Sequence, residues 1–392
     1  MAETLKLGNG DWATKEGSLL AYSNENGNYK PLPFDVTRAS SATVVNKQGL
    51  IETVGSGIPR IDFSDDAKGA LLLEPQRSNL VTYSEPTTNE GAASNITYQS
   101  FNWSIGFENC VKFGDNSALR FRYFSTVLVS TTYTISAFVI MDDLSEPSIG
   151  TNASTGDFVF RVGGVYPTIT SKQNMGNNIW RCEGYATTVN TSQTGIMKYT
   201  GQSSKGFRVV GFQLEQGSYA TSYIPTSGQA NGVTRVADAC NNGANEQVIN
   251  STEGVLYAEI EGLVDGDTDR AISLNDDSFS NSVVINYHSL SGFVFFQVYK
   301  TSVRILNFSV NNVDKSISHK IAFKYKNADY SVWIDGVEVL TNTLADNISA
   351  NTLSKLNFDR GDGVSDFYGN IKDIRVYNTA LTDQELIALT TI

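Results

Sequence analysis

The clearest alternation of apolar and polar residues in the chain runs from His319 to Lys326. Every second residue from His319 carries a ring or an aliphatic side chain, and the residues between them are Lys320, Ala322, Lys324 and Lys326. A period of two predicts a strand with one face in a core and the other in water. The apolar face continues in Tyr330–Ile334, and Asp335-Gly336 then supplies the positive φ that a type I′ hairpin turn needs. The pattern therefore predicts a hairpin in an antiparallel sheet.

The end of the chain adds one more strand and one short helix to this prediction. The run Phe367–Tyr377 is predicted to be a late strand. Thr382 and Glu385 have the spacing of a capping box, in which the hydroxyl and the carboxylate satisfy each other's backbone N–H groups at a helix start. We expect a short helix to begin there.

Residues 86–226 show short strand-like runs separated by turns, without a long helical period. The runs are Leu119–Phe124, Tyr133–Met141, Phe158–Val162, Ile179–Tyr185, Gly195–Tyr199 and Phe207–Gly217. Their even spacing is typical of a β-sandwich. The predicted fold class is thus all-β, with an N-terminal region and two β-sandwich domains.

The segment from Thr37 to Ser84 differs from both, because its apolar runs are too short to build a core. Turn signals break it at Asn46-Lys47, Gly55-Ser56-Gly57 and Asp65-Asp66. Such a segment must dock onto something else. Nearby, Trp12, Tyr22 and Tyr29, with Pro31–Phe34, are expected to anchor the N-terminal region by aromatic packing on a neighbour.

Composition and charge narrow the functional classes. A chain of 392 residues suggests two or three domains, and a net charge of −12 argues against nucleic acid and anionic membranes as partners. Cys110, Cys182 and Cys240 have neither a disulfide framework nor metal-site spacing, so we expect buried thiols. The N-terminus shows no signal peptide, and no apolar run would span a bilayer, so we expect synthesis and folding in a cytoplasm.

The segment Thr37–Ser84 resembles a pattern of bacteriophage tail-fibre and head-spike or head-fibre proteins. The matching blocks are Thr37–Thr43, Gly49-Leu50, Pro59–Asp62, Leu72–Glu74 and Arg77–Leu80 with Ser84. A second half of the pattern lies at Gln213–Thr226 and Thr234–Asp238. The resemblance implies a structural virion protein whose N-terminal region, residues 1–85, contacts other virion proteins. It also implies a homo-oligomer, with a trimer favoured and no heptad repeat to hold it.

Two further resemblances concern the domains. The end of residues 86–226, Val210–Thr226, is similar to the last strand of carbohydrate-binding jelly rolls. Residues 253–392 resemble concanavalin A-like, laminin-G-like jelly rolls through Tyr330–Gly336, Gly369–Asn378 and Ala380–Leu389. Residues 227–252, small, polar and glycine-bearing, are predicted to be a linker between the two. The concanavalin-like fold hosts lectins, adhesins, glycanases and inert spacers, so it does not fix a function.

Glycoside hydrolysis is the sharpest catalytic hypothesis, because Glu259 and Glu261 are two carboxylates on one face of a strand. Glucanases of this fold carry a further acid where this chain has Val264. The interpretation therefore favours solvent-facing carboxylates and no enzyme. His319 lies on the apolar face of its strand and is predicted to be a packed ring rather than a base.

A calcium ion is the one cofactor that the sequence suggests. Asp265, Asp267 and Asp269 alternate in one loop, which brings hard oxygen ligands together. The spacing of an EF-hand is not met, and solvated turns explain the same residues. No firm metal site or cofactor is predicted.

Sugar binding requires aromatic faces for stacking and polar groups for hydroxyls. Trp333 is the first candidate, because it alternates out of the apolar set Tyr330, Val332 and Ile334 and so lies on the opposite face of its strand. Trp180 and Tyr185 are further candidates. Packing in a core is the alternative for each.

Together these observations predict a non-catalytic virion protein, a tail fibre or a head spike, that attaches to host-surface polysaccharide. A virion glycan depolymerase using Glu259 and Glu261 is one alternative, and a capsid-decorating or bracing protein is another. Neither a nucleic-acid partner nor membrane insertion is expected. The glycan, the host and the position on the head or the tail stay open.

Overall fold

A computed structural model describes residues 3–25, 27–88, 93–124, 127–264 and 268–392. The first strands in chain order are β1 (Leu5–Gly8), β2 (Ala13–Lys15), β3 (Ser18–Glu25), β4 (Asn28–Thr37), β5 (Ala42–Val45), β6 (Ile51–Val54), β7 (Ile61–Asp62), β8 (Ala70–Leu73), β9 (Arg77–Asn79), β10 (Ala93–Ser94), β11 (Ile96–Ser100), β12 (Asn109–Phe113), β13 (Arg120–Tyr123), β14 (Thr132–Met141), β15 (Val159–Arg161) and β16 (Thr168–Asn174). They are followed by β17 (Trp180–Thr187), β18 (Gly195–Lys198), β19 (Phe207–Gln216), β20 (Val233–Arg235), β21 (Ala239–Asn241), β22 (Glu253–Gly262), β23 (Arg270–Asn275), β24 (Ser282–Tyr287), β25 (Val294–Lys300), β26 (Val303–Val310), β27 (His319–Lys326), β28 (Tyr330–Ile334), β29 (Val337–Asn342), β30 (Lys355–Asn357), β31 (Gly369–Tyr377) and the helix α1 (Asp383–Thr390). The predicted all-β class is confirmed.

The chain divides into two compact units, and neither unit is one continuous segment. The first unit comprises Met1–Ala39, Ser56–Pro75 and Ala237–Ile392, and the second comprises Ser40–Gly55 and Gln76–Val236. The N-terminal region therefore does not form a body of its own, which differs from the predicted separate region 1–85. Its short strands find their partners within the same chain, because pairing in a sheet satisfies backbone groups that they could not satisfy alone.

The first unit is a sandwich of two antiparallel sheets. Its main sheet has the order β21-β4-β3-β1-β31-β22-β27-β28-β29, with β2 beside β3, β8 beside β31 and β7 beside β8. The opposing sheet has the order β26-β25-β24-β23-β30. Alternate residues of both sheets form one core, in which Leu5, Leu7 and Phe34 of the N-terminal strands join Phe296 and Phe323.

The second unit is a smaller sandwich. A six-stranded sheet, β11-β12-β19-β14-β17-β16, packs on a four-stranded sheet, β10-β13-β18-β15. Val139 and Phe212 of the long strands are fully buried between them, with Phe158 and Phe160 from the opposing sheet. The predicted β-sandwich is confirmed. The unit also contains the two-stranded pairs β5-β6 and β9-β20.

The predicted hairpin and helix of the C-terminal region are present. Asp335 and Gly336 have φ values of 51° and 83°, and Ile334 pairs directly with Val337. Thr382 is the N-cap of α1, in a capping box with Glu385. These features depend on a few neighbouring residues, so the local sequence was sufficient to predict them.

Two predictions about this region need correction. The second face of β27 is only partly in water, because α1 packs on its middle. Lys324 is only 4 % exposed and its Nζ lies 2.7 Å from an Asp329 carboxylate oxygen, whereas Lys326 at the end of the strand is exposed. Residues 227–252 are not a linker, because β20 and β21 lie there and Val248 and Ile249 are buried in a core. These small polar residues form strands because pairing with neighbouring strands satisfies their backbone N–H and C=O groups. The pattern of their side chains is not needed for that.

The phage-like blocks of the first unit meet in one buried ion network. Arg38 Nη1 donates to Asp238 Oδ1 at 2.9 Å, and Arg60 Nη2 donates to Asp238 Oδ2. Arg60 Nη1 donates to Glu74 Oε2 at 2.6 Å, and the Glu74 backbone N–H donates to Asp238 Oδ2 at 3.0 Å. The four side chains are at most 2 % exposed. These residues of the motif therefore hold the fold together, because their charges satisfy one another in its interior.

The blocks of the second unit have the same character. Asn79 is fully buried, and its Nδ2 donates to the carbonyls of Phe212 and Ile224 at 3.1 and 2.8 Å. Its Oδ1 accepts from the backbone N–H groups of Val81 and Leu214, both at 3.1 Å. A buried amide with all these partners aligns the chain segments that flank it.

Cys110, Cys182 and Cys240 are free and buried, as predicted. Burial raises the pKa of the Cys240 thiol well above its ordinary value, so the thiol stays protonated and unreactive. Within the described ranges, no helix combines the length and the apolarity needed to cross a bilayer.

Candidate functional site

The outer face of the main sheet in the first unit carries the candidate site. Cross-strand pairing places one row of side chains on this face, in the order Pro31, Tyr22, Lys6, Arg375, Tyr257, Ala322 and Trp333. The opposite face of the same strands is the sandwich core. The row begins at open aromatic residues on β3 and β4 and ends under α1. Two grooves lie along it.

Tyr22 and Tyr29 form an aromatic platform at the open end of the row. Their rings stack with centroids 5.1 Å apart and an interplanar angle of 28°. Tyr22 is 53 % exposed and Tyr29 is 57 % exposed. Among the residues that the structure describes, they are the only aromatic side chains in the exposed class. Alternation in β3 and β4 puts both rings outward while Leu19 and Phe34 enter the core.

Polar groups surround the platform. Lys6 Nζ lies 2.5 Å from Asp11 Oδ2, and both side chains lie beside the rings. Asn24 Nδ2 donates to the Tyr29 hydroxyl at 3.4 Å. Each of these groups offers donors or acceptors at the edge of an apolar surface. That is the composition of a site for a ligand that has both hydroxyl groups and an apolar ring face.

The platform lines an open groove of about 440 Å³, which we call the platform groove. Its walls are Lys6, Asp11, Tyr22, Tyr29 and Pro31, with Glu3, Ala13, Leu20, Ala21 and Lys30. Partial desolvation raises the pKa of the Tyr22 hydroxyl, and the neighbouring Tyr29 adds to the effect. The hydroxyl is therefore protonated at neutral pH and can donate as well as accept.

A second groove of about 510 Å³ lies between α1 and the strands β22 and β31, and we call it the helix groove. Leu381, Ala388 and Leu389 line it from the C-terminal segment. The sheet and its loops contribute the polar lining: Asn9, Lys68, Tyr257, Glu259, Lys320, Asp373, Arg375, Tyr377 and Glu385. Cations and carboxylates are mixed in this lining, so it does not favour a ligand of one charge.

Asp373 is the most unusual residue of the helix groove. Its side chain is 2 % exposed, and its Oδ2 accepts from Nε and Nη2 of Arg375 at 2.9 and 2.6 Å. Its Oδ1 is buried and has no hydrogen-bond partner. Burial raises the pKa of Asp373, while the hydrogen bonds from Arg375 oppose the shift. The chain thus leaves one strong acceptor unsatisfied in this groove.

Glu259 and Glu261 are on the outer face of β22, since Ile260 between them is buried in the core. Glu259 pairs across the strands with Asp373, and a bulge follows, so that Glu261 pairs with Asn370. Burial raises the pKa of Glu261, and Lys372 Nζ at 3.7 Å opposes the shift. The shared face that was predicted for the two glutamates is present. The carboxylate residue directly opposite Glu259 on the neighbouring strand is Asp373, which the sequence did not indicate.

His319 does not have the free ring that a general base would need. Its Nδ1 lies 2.6 Å from Asp335 Oδ2, and its Nε2 lies 2.8 Å from the Asp314 carbonyl oxygen. One ring nitrogen thus contacts the turn between β28 and β29, and the other contacts the loop that precedes β27. The ring has a structural role.

Trp333 lies on the predicted face of its strand, opposite to Tyr330, Val332 and Ile334. It is only 5 % exposed, however, and packs with Tyr257 and Leu386 under α1. Its Nε1 donates to Ser331 Oγ at 3.2 Å. In this structure the ring supports the helix, and no open ring face is left for a sugar.

Trp180 and Tyr185 are half-buried in β17 of the second unit, but they point to opposite faces. Trp180 packs on the core of the sandwich with Cys182. Trp180 and Tyr185 therefore do not share one aromatic surface within the second unit. Trp333 belongs to the first unit, where its ring is buried. Tyr22 and Tyr29 were expected only to pack on a neighbour. Their alternation in β3 and β4 was the signal that could have placed them outward.

The predicted calcium loop is only partly open to a test, because Asp265 and Asp267 lie outside the described residues. Asp269 Oδ1 accepts from the Ser289 backbone N–H at 2.7 Å, and His288 Nε2 lies 3.9 Å away. In the part of the chain that the structure describes, no three His, Cys, Asp or Glu residues are grouped so as to hold a metal ion.

Comparison with known proteins concerns the C-terminal region first. Residues 260–387 match the family model Laminin_G_3, described as the concanavalin A-like lectin/glucanases superfamily. No curated protein sequence matches the chain.

Solved structures similar to part of the chain include carbohydrate-binding modules. The CBM40 of the Ruminococcus gnavus IT-sialidase, bound to α2,3-sialyllactose, is 17 % identical, covers 36 % of this chain and 83 % of its own, and has a TM-score of 0.32. Domain 4 of AbnA, a GH43 arabinanase from Geobacillus stearothermophilus in complex with arabinotriose, is 13 % identical, covers 40 % and 73 %, and has a TM-score of 0.33. The C-terminal part of this chain therefore contains a concanavalin A-like domain of the lectin and glucanase type.

Proposed function

We propose that this protein is a glycan-binding attachment protein that holds polysaccharide on the outer face of its first unit, without catalysis. The observation that carries the proposal is the stacked and exposed pair Tyr22 and Tyr29 in the platform groove. Exposed aromatic rings are costly in water, and a pyranose ring can cover them with its apolar face. The concanavalin A-like domain, a type that includes lectins, supports the same function.

The proposal extends to the particle that displays the glycan site. The blocks at Thr37–Ser84 and Gln213–Asp238 resemble those of phage tail-fibre and head-spike proteins, and this resemblance supports a structural role in a virion. The same resemblance supports a homo-oligomer, with a trimer favoured, bound to other virion proteins. The glycan site would then serve attachment to the surface of the host cell.

Binding of the full-length protein to immobilised bacterial surface polysaccharides tests the glycan function. The two double variants Y22A/Y29A and Y22F/Y29F are compared with the wild-type chain on the polysaccharides that bind. Each stacked ring is expected to contribute about 1 kcal/mol, so the alanine double variant should bind about thirtyfold more weakly. The phenylalanine double variant keeps both ring faces and should retain most of the affinity.

Val337→Ala is the matched control, because Val337 is 60 % exposed on β29, the far edge strand of the same sheet. This variant should bind as the wild-type protein does. Failure of every polysaccharide to bind, or full binding by Y22A/Y29A, would contradict the proposal.

A further inference from the structure

The helix groove and the platform groove lie on the same face of the same sheet. The pairs Tyr22 with Lys6, Lys6 with Arg375, and Arg375 with Tyr257 are directly opposite each other on neighbouring strands. With a strand spacing of about 4.8 Å, Arg375 lies roughly 10 Å from Tyr22 and Tyr257 roughly 14 Å from it. Along this row the platform groove ends at Lys6 on β1, and the helix groove begins at Arg375 on the neighbouring strand β31. One extended ligand that crosses the strands can therefore contact both.

One carboxylate oxygen at the helix groove has no hydrogen-bond donor from the described residues of the chain. Oδ1 of the buried Asp373 carboxylate has no donor, whereas both nitrogens that Arg375 aims at it use Oδ2. An unsatisfied buried acceptor costs about 1–3 kcal/mol. Asp373 lines the helix groove, so a turn of its carboxylate toward the groove would let a ligand O–H donate to Oδ1 and recover part of that cost. Glu259 pairs with Asp373 on one side and with Lys320 on the other, which adds an acceptor and a cation.

We infer that the helix groove is a second sugar subsite, and that the ligand is an oligosaccharide long enough to span from Tyr22 to Asp373. A neutral sugar residue fits best, because its hydroxyls can donate to Asp373 and Glu259 and accept from Arg375 and Lys320. A uniformly anionic or cationic residue would meet a like charge in this mixed lining. The inference rests on the proposed glycan function and specifies its ligand class.

The test uses the full-length protein and a length series of oligosaccharides prepared from the polysaccharide that it binds. Affinity, measured by calorimetry, should rise with length until the ligand reaches the helix groove. Asp373→Asn keeps the shape of the side chain but removes the charged acceptor. It should lower the affinity for the long oligosaccharide about tenfold and leave that for the short one unchanged.

Ala388→Phe is a second variant that does not depend on the buried ion pair. Ala388 is exposed on α1 and lines the helix groove, so a phenyl ring there should block the subsite without disturbing the core. Ile387→Phe is its control on the same helix, because Ile387 is 44 % exposed and does not line the groove. Melting curves check that each variant is folded.

The outcomes separate the two proposals. If short oligosaccharides bind through Tyr22 and Tyr29 and longer ones bind no tighter, the second subsite is wrong and the proposed function stands. If Ala388→Phe leaves the affinity for long ligands unchanged, the subsite is also wrong. If no oligosaccharide of any length binds, both proposals fail.

Discussion

Asp238 and Asp373 are two of the buried carboxylates of the first unit that are paired with arginine, and they are satisfied to different degrees. Asp238 accepts hydrogen bonds at both oxygens, from Arg38, from Arg60 and from the Glu74 backbone. Asp373 accepts at one oxygen only, both times from Arg375. Asp238 is enclosed by the strands that carry the phage-like blocks, whereas Asp373 lines an open groove. A complete set of partners indicates a structural role, and an incomplete set beside a groove indicates a capacity for binding.

The contrast between Asp238 and Asp373 also shows what the sequence motif at Thr37–Ser84 reports about the structure. The sequence blocks at Thr37–Ser84 and Gln213–Asp238 are the most recognisable part of the chain, but most of their charged residues, among them Arg38, Arg60, Glu74 and Asp238, are buried in the fold. The platform groove lies on strands without any such motif, and the helix groove lies partly in the segments Gly369–Asn378 and Ala380–Leu389 that carry the concanavalin-like resemblance. A recognisable motif can therefore report how a chain is held together while the candidate ligand site lies elsewhere.

The largest expected effect follows from removing the satisfied carboxylate. Asp238→Ala leaves Arg38 and Arg60 buried without this partner, which should destabilise the first unit by about 3–5 kcal/mol. Hydrogen exchange of peptides from β22 and β31, read by mass spectrometry, reports on this unit separately from the second one. A loss below about 1 kcal/mol would mean that the network is dispensable and that the comparison with Asp373 has no basis.

An intermediate effect is expected in the pH dependence of the other carboxylate. Burial raises the pKa of Asp373 in the folded protein, so the folded state holds a proton that the unfolded chain releases near pH 4. Its contribution to stability is thus greatest at low pH and falls as the pH rises through the raised pKa. Asp373→Asn lacks this pH-dependent contribution, because an amide side chain does not titrate.

Urea unfolding of the wild-type chain and of Asp373→Asn at pH 4 and pH 7 measures the difference. The variant should lose less stability, or gain more, between the two pH values than the wild-type chain. Parallel behaviour of the two proteins would show that the pKa of Asp373 is the same in the folded and unfolded chains, contrary to the expected shift.

The smallest effect is expected for an exposed ion pair of the same sheet. Lys326 Nζ lies 3.1 Å from Glu253 Oε2, and the two side chains are 46 % and 30 % exposed. Lys326→Ala should change the free energy of unfolding by less than about 1 kcal/mol, and salt should reduce even that. A larger change would mean that the exposure of an ion pair does not determine how much it contributes to the free energy of unfolding. The larger effect expected for Asp238→Ala depends on that relation.

The sequence predicted those parts of the fold that depend on near neighbours. The hairpin at Asp335-Gly336, the capping box at Thr382 and the face of Trp333 follow from positive φ, from helix-end chemistry and from strand alternation. The burial of Trp333 did not follow, because α1 returns onto that strand about fifty residues later in the chain. Alternation shows on which face of a strand a side chain lies, but not which other element of the fold packs on that face.

The candidate site was harder to predict for the same reason. Nothing local to Lys6 or Tyr22 indicates that Arg375 and Tyr257 follow them across the sheet, since that order depends on pairing between the two ends of the chain. The unsatisfied oxygen of Asp373 is likewise a property of three-dimensional packing. Sequence patterns could identify candidate aromatic and acidic residues, but they could not predict which of them lie together in the fold.

The division of the first unit among three chain segments has a consequence for its synthesis. The Thr4 hydroxyl donates to the carbonyl of Val376, 372 positions later, so the N-terminal strands wait for nearly the whole chain to be made. At about 5–20 residues per second, that wait is roughly 20–75 s. During it, Leu5, Leu7 and Phe34 lack the strand partners and core that later cover them. A ribosome-bound chain of this protein therefore exposes these apolar side chains until its C-terminal strands are made. A C-terminal fragment that lacks the N-terminal strands would lack about half of the main sheet.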